Sequence, residues 1–126
     1  MKHFWEMIKR LNVITLITLI ALSCNSQDCN KLPVNFSSYS QAISLVKRSA
    51  FKINESANTS NSSWITSAKY YSCDGVKGYF IYTTIKNREY IHKGVPVNVW
   101  EDFKNASSKG SYYDYNIKNR YRLQLN

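Results

Sequence analysis

The stretch from Tyr90 to Tyr121, YIHKGVPVNVWEDFKNASSKGSYYDYNIKNRY, constrains the fold more than any other part of the chain. Seven of its 32 residues are Tyr, Trp or Phe and five are Lys or Arg. A fold built on it must bury large rings while leaving cationic tips in water. Gly94-Val95-Pro96 ends an extended run and opens a helix, because Pro has a fixed φ suited to a first helical turn and no amide to satisfy there. Val97 to Ala106 reads as that helix, with Trp100, Phe103 and Ala106 at three-residue spacing. Ser107-Ser108-Lys109-Gly110 breaks it as a helix-to-helix turn with a C-terminal Gly cap. Tyr112 to Asn119 is a second short helix or turn, with Tyr113, Ile117 and Tyr121 four apart. The tail Arg120 to Leu125 alternates as a final strand.

Upstream lie two strand patterns. Trp64 to Tyr71 alternates, with Trp64, Thr66, Ala68 and Tyr70 on one face. Ser72-Cys73-Asp74-Gly75 is a turn, since Gly tolerates a positive φ. Gly78 to Ile85 is the next strand, Lys86-Asn87-Arg88 turns the chain again, and Glu89 to His92 is the third. The expected class is α+β: a small antiparallel sheet of three to four strands packed against a C-terminal helix and one N-terminal helix.

That N-terminal helix lies within residues 37–53. Tyr39, Ala42, Ile43 and Val46 recur at i, i+3, i+4 and i+7. Ser37 or Ser38 caps it, and Lys47 and Arg48 suit the negative end of its dipole. A lone helix of this length is marginal in water, so Tyr39, Ile43 and Val46 are expected to pack on the C-terminal domain. Ala50 to Ile53 follows as a short strand. Residues 54–61 (NESANTSN) read as a polar linker, residues 24–36 as a tether and residues 62–126 as the main domain. Beyond residue 23 there are 103 residues, enough for one domain.

Residues 1–23 read as a leader. Lys2, Lys9 and Arg10 precede Leu11 to Leu22, which is uncharged and too short to span a bilayer, which takes roughly 20 apolar residues. Ala21-Leu22-Ser23-Cys24 resembles a bacterial lipobox, with Cys24 the lipidation site and the new N-terminus. The pattern prefers Leu where Ala21 stands. A plain secretory cleavage and an uncleaved anchor are the alternatives. The expected location is therefore the bacterial cell envelope, anchored to the membrane through Cys24. Export exposes Cys29 and Cys73 to an oxidising compartment, where a disulfide between them would persist. A flexible Cys29 with Cys73 as a small turn residue is the second reading, and a catalytic Cys, for which no partnered base is visible, the third.

The chain carries 17 basic and 8 acidic residues, a net charge of +9. Without residues 1–23 the balance is +7. Such a surface attracts anionic partners, including nucleic acid, lipid headgroups and acidic glycans, and it equally serves plain solubility.

The ordered landmarks resemble those of the KTSC domain, a small module named after the lysyl-tRNA synthetase C-terminus. They are Ser62-Ser63-Trp64-Ile65, Tyr90-Ile91-His92, Val95-Pro96, Trp100 to Phe103, Ala106 to Gly110, Tyr112-Tyr113 and Ile117-Lys118-Asn119-Arg120-Tyr121. The similarity covers roughly residues 62–125. It departs at His92, where the family pattern has a second Tyr. The resemblance implies RNA binding, a role suggested for that family.

Single-strand binding uses stacking faces beside cations. Tyr79, Phe80, Tyr82, Tyr90 and His92 could supply faces, although alternating Tyr more often serves cross-strand packing. Export also disfavours nucleic acid. No catalytic site is expected: the chain beyond residue 23 has one His, and no nucleophile elbow or orienting acid accompanies it. No metal site or cofactor is expected either, because zinc ligand spacing is lacking. Ser107 to Gly110 with Lys109 could hold an anion, but it lacks the glycine run of a phosphate loop. The expected function is a non-enzymatic binding or interaction module for an anionic or protein ligand. Its candidate surface is Tyr90, His92, Lys93, Ser108, Lys109, Lys118 and Arg120. The alternative is an RNA- or nucleotide-binding module.

Overall fold

The computed structural model describes residues 26–126. The leader of residues 1–23 and Cys24 lie outside the described residues. Four strands form one antiparallel sheet in the order β3 (Ile53–Ser56), β4 (Ile65–Ser72), β5 (Lys77–Thr84) and β6 (Glu89–Pro96). Helix α1 (Tyr39–Arg48) covers one face. Helices α2 (Val97–Asn105) and α3 (Lys109–Asn116) cover the other. The class is α+β, with two C-terminal helices.

The alternation within each strand builds two cores, since successive side chains point to opposite faces. Tyr70, Phe80 and Tyr82 point toward α2 and α3, where Trp100, Phe103, Tyr113 and Ile117 are buried. Tyr71, Ile81 and Ile91 point toward α1 and meet Ala42, Ile43, Val46, Phe36 and Leu123. Tyr70 and Trp100 stack at 5.2 Å, and Phe80 and Phe103 meet edge to face at 5.0 Å.

Several expectations shift. Thr66 is exposed and Ile65 is buried beside Ala68 and Tyr70. A bulge between Ile65 and Ser67 inserts one residue and so inverts the facing at that end. The polar stretch of residues 54–61 is not all linker: Asn54, Glu55 and Ser56 belong to β3, paired with Tyr71, Tyr70 and Lys69. Polar residues are tolerated there because β3 is an edge strand, and Glu55 has its own partners. Its Oε2 accepts from Trp100 Nε1 at 2.9 Å and from Lys104 Nζ at 2.8 Å. Those bonds, Lys104 first, hold the Glu55 carboxyl below its usual range. The tail Arg120 to Leu125 makes isolated bridges, Arg122 to His92 and Leu125 to Phe36, in place of a strand.

Ser38 caps α1, its hydroxyl accepting from the Gln41 amide at 3.0 Å. Ala42, Ile43 and Val46 are buried, but Tyr39 is 54% exposed. Tyr39 sits in the first turn, past the edge of the buried stripe, and does not pack into the core as the periodicity suggests. Before α1 the chain runs through β1 (Gln27–Asp28), paired in parallel with β2 (Ser49–Ala50). Cys29 and Cys73 form a disulfide with Cα atoms 5.8 Å apart, fastening this arm to the β4–β5 turn.

Candidate functional site: a groove beside Tyr90

The β5–β6 pairing sets Tyr82 opposite Tyr90 and Phe80 opposite His92. The Tyr82 and Tyr90 rings stack at 5.2 Å and 21°. Tyr82 is buried while Tyr90 is 41% exposed, so Tyr90 is the open end of the stack. From α3, Tyr113 reaches Tyr82 with ring centroids 4.6 Å apart. Trp64 closes the far side, edge-on to both rings.

A hydrogen-bond chain runs beneath these rings. The Tyr82 hydroxyl lies 2.8 Å from the Tyr113 hydroxyl, which lies 3.0 Å from His92 Nε2. His92 Nδ1 lies 3.0 Å from the Tyr121 carbonyl oxygen. A carbonyl only accepts, so Nδ1 carries the hydrogen and the neutral ring accepts at Nε2. The direction is then fixed: Tyr82 donates to Tyr113, Tyr113 to His92, and His92 to Tyr121. Burial pushes the His92 pKa below its ordinary value, against a smaller upward effect of the Tyr121 carbonyl. Burial also pushes Tyr82 up, as does the hydrogen bond to Tyr113.

The chain after α3 walls this assembly. Asn119 takes a left-handed φ of 65°, a conformation Asn tolerates better than most residues. That turn lets the Tyr121 carbonyl accept from both the Lys93 amide and His92. The result is an open groove of about 620 Å³. Its floor includes Tyr82, His92 and Tyr113, and its rim includes Tyr39, Tyr90, Lys118 and Arg122. Lys118 makes no ion pair among the described residues, and Arg122 donates to Asn119 Oδ1 at 3.1 Å. Glu89 also lines the groove and is paired with Lys47.

The expected surface is thus divided. Tyr90, His92 and Lys118 come together here. The Lys93 ammonium donates to the Val34 carbonyl at 2.6 Å, pinning the N-terminal arm. Arg120 is exposed and lines neither this groove nor the one described next. Ser108 and Lys109 line a separate, polar groove of about 300 Å³, where both have structural roles. Ser108 caps α3 by accepting from the Ser111 amide at 3.3 Å. Lys109 donates to the Lys104 and Ala106 carbonyls at 3.1 and 3.2 Å, closing the end of α2. Gly110 is no cap; it sits in the first turn of α3. A Cβ there would stand 2.2 Å from Trp64 Nε1.

Tyr39, Asn119 and Arg122 were not anticipated at the groove. Tyr39 carries an apolar-stripe signature that points inward, and Arg122 stands in an alternating tail. Only the three-dimensional closure of the tail on β6 brings them beside Tyr90. Among the described residues, one cluster has metal-ligand composition: Asp28, Cys29 and Cys73. Its two sulfurs are bonded to each other.

Residues 77–121 match the family model of the KTSC domain. The matched span runs from the start of β5 through α3 to Tyr121, so it contains Tyr82, Tyr90, His92, Tyr113 and Lys118. The β4 landmark Ser62 to Ile65 lies outside it. A crystal structure of a KTSC domain protein from Yersinia pestis is similar at 26% identity, covering 59% of this chain and 99% of that one, with a TM-score of 0.48. Among curated proteins, none matches the chain. Tyr39 and Arg122 lie outside the KTSC match, so the rim of the groove is completed by residues flanking the matched span.

Proposed function

We propose that this chain is a non-enzymatic binding module whose ligand is an anion with a flat or apolar face, held in the groove beside Tyr90. The observation that carries this reading is the convergence of an open stacking ring, Tyr90, with Lys118 and Arg122 on one rim. A ring face offers contact area at low entropic cost, and two cations beside it favour an acidic group. A binding role is supported over catalysis because both ring nitrogens of His92, the one His among the described residues, are already engaged. The export signature at residues 1–24 supports placing the module in a bacterial cell envelope, lipid-anchored at Cys24. An acidic oligosaccharide is the ligand class that suits such a place.

An RNA- or nucleotide-binding role is the second reading, favoured by the Tyr82–Tyr90 stack, whose outer ring could take a base. Isothermal titration with a sulfated tetrasaccharide and with oligouridylate distinguishes the two. The expected result is tighter binding of the tetrasaccharide, weakened roughly tenfold by Lys118→Glu. Tighter oligouridylate binding selects the second reading. Binding of neither, or binding unaffected by Lys118→Glu, removes the groove as the site.

A further inference from the structure

We infer that the groove is proton-coupled: an anionic ligand that accepts a hydrogen bond from the Tyr82–Tyr113 hydroxyl pair is bound together with a proton on His92. This rests on the anion-binding reading above and adds how the site is regulated and a further contact residue.

The inference follows from the direction of the buried chain. With His92 neutral, the Tyr82 hydrogen is committed to Tyr113 and the Tyr113 hydrogen to His92, so neither hydroxyl has a hydrogen to offer the groove that both residues line. That floor suits a donor and disfavours an anion. Protonation puts a second hydrogen on His92, at Nε2. His92 Nδ1 must go on donating to the Tyr121 carbonyl, so Nε2 must now donate to the Tyr113 oxygen. The Tyr113 hydrogen, displaced, turns either to the groove that Tyr113 lines or to the Tyr82 oxygen, which sends the Tyr82 hydrogen to the same groove. One proton gained at His92 thus converts the floor from acceptor to donor without any change in fold. The covalent skeleton is unaltered and every proton is accounted for.

The surroundings set the balance. Tyr82 faces His92 from β5, and Tyr113, with Asp114 beside it, from α3. Lys118 and Arg122 stand on the tail and Tyr39 and Lys47 on α1. Glu89, Tyr90 and Lys93 share β6. The burial of the ring opposes the charged imidazole in the empty groove, in line with its lowered pKa. An anion between Lys118 and Arg122 offsets the charge of the imidazolium and accepts the released hydroxyl hydrogen. By linkage its affinity rises as pH falls, by at most about tenfold per pH unit for one proton.

Inorganic sulfate is the probe, because its charge is constant over about pH 5 to 8, the range in which histidine titrates. Nuclear magnetic resonance of the full chain reads both ends of the coupling. Without sulfate at neutral pH, the His92 nitrogen shifts should show the hydrogen on Nδ1; the opposite tautomer overturns the inference. With sulfate, groove shifts should give tighter binding at low pH than at neutral pH, and the His92 titration should move to higher pH. Tyr82→Phe keeps Lys118, Arg122 and His92 and should bind sulfate with a reduced dependence on pH. His92→Gln, which cannot take up the proton, should bind it with an affinity that does not vary with pH. Wild-type affinity that is flat with pH, or an undiminished slope in His92→Gln, overturns the coupling while leaving the anion groove standing; an undiminished slope in Tyr82→Phe alone overturns the part given to the Tyr82 hydroxyl. Sulfate that moves no groove resonance at any pH overturns both.

Discussion

Gly110 and Trp64 leave each other no slack. A methyl group at Gly110 would meet the Trp64 indole at 2.2 Å, and Trp64 is wedged against Tyr82 and Tyr113. Gly110→Ala is therefore expected to destabilise the fold by about 1–3 kcal/mol, despite the better helix propensity of Ala, as measured by urea unfolding. Unchanged or raised stability would show that Trp64 can retreat. His92 carries a second expectation. Its folded pKa lies below the ordinary histidine value, so the unfolded chain binds the proton more readily. The stability due to His92 is present above pH ~6.5 and declines as pH falls from there through the folded pKa. Thermal unfolding from pH 7.5 down to about 5 should show this decline, and His92→Gln should reduce it.

At the scale of elements, the anchoring of β3 is the feature least visible in the sequence. Its outward polar residues look like linker, yet Glu55 is tied to Trp100 and Lys104 of α2. The pair is half exposed, so its contribution is modest. Glu55→Gln should cost about 1 kcal/mol and loosen hydrogen-exchange protection in β3 before that in β4. Uniform loss across the sheet would mean that β3 is not a separable edge. The strands β4 to β6 and helix α2 were legible because alternation and the Val95-Pro96 boundary are local signals. The bulge at Ile65–Ser67 was not, because one inserted residue leaves composition untouched. The start of α3 was misplaced because Ser108-Lys109-Gly110 resembles a turn, and only contact with Trp64 explains the glycine inside a helix. In the groove, Tyr90, His92 and Lys118 could be named from their types and motif. Tyr39 and Arg122 could not, because their approach depends on α1 and the tail meeting across β6.

The described residues form a sheet between two helical layers with an N-terminal arm drawn across one side. The arm is fastened by the Cys29–Cys73 disulfide, the β1–β2 pairing, the Lys93 bond to Val34, and Phe36, which is buried against the α1 core and bridged to Leu125. The disulfide closes a loop between residues 44 apart in sequence. Cys73→Ser should lower stability by about 2–4 kcal/mol. A transition unchanged by the substitution and by reductant would show that the other fastenings suffice. No helix among the described residues is long and apolar enough to cross a membrane. Attachment at a membrane, if residues 1–24 act as proposed, would be through Cys24, and loss of lipid label in Cys24→Ala is the check.

The binding groove is tested most directly by mapping backbone amide shifts while a sulfated tetrasaccharide is added to the chain. The expected result is a set of changes centred on Tyr39, Tyr90, Lys118 and Arg122, reduced by Lys118→Glu. Changes spread evenly over remote cations such as Lys52, Lys69 and Lys86, or no changes at all, would contradict a binding site beside Tyr90.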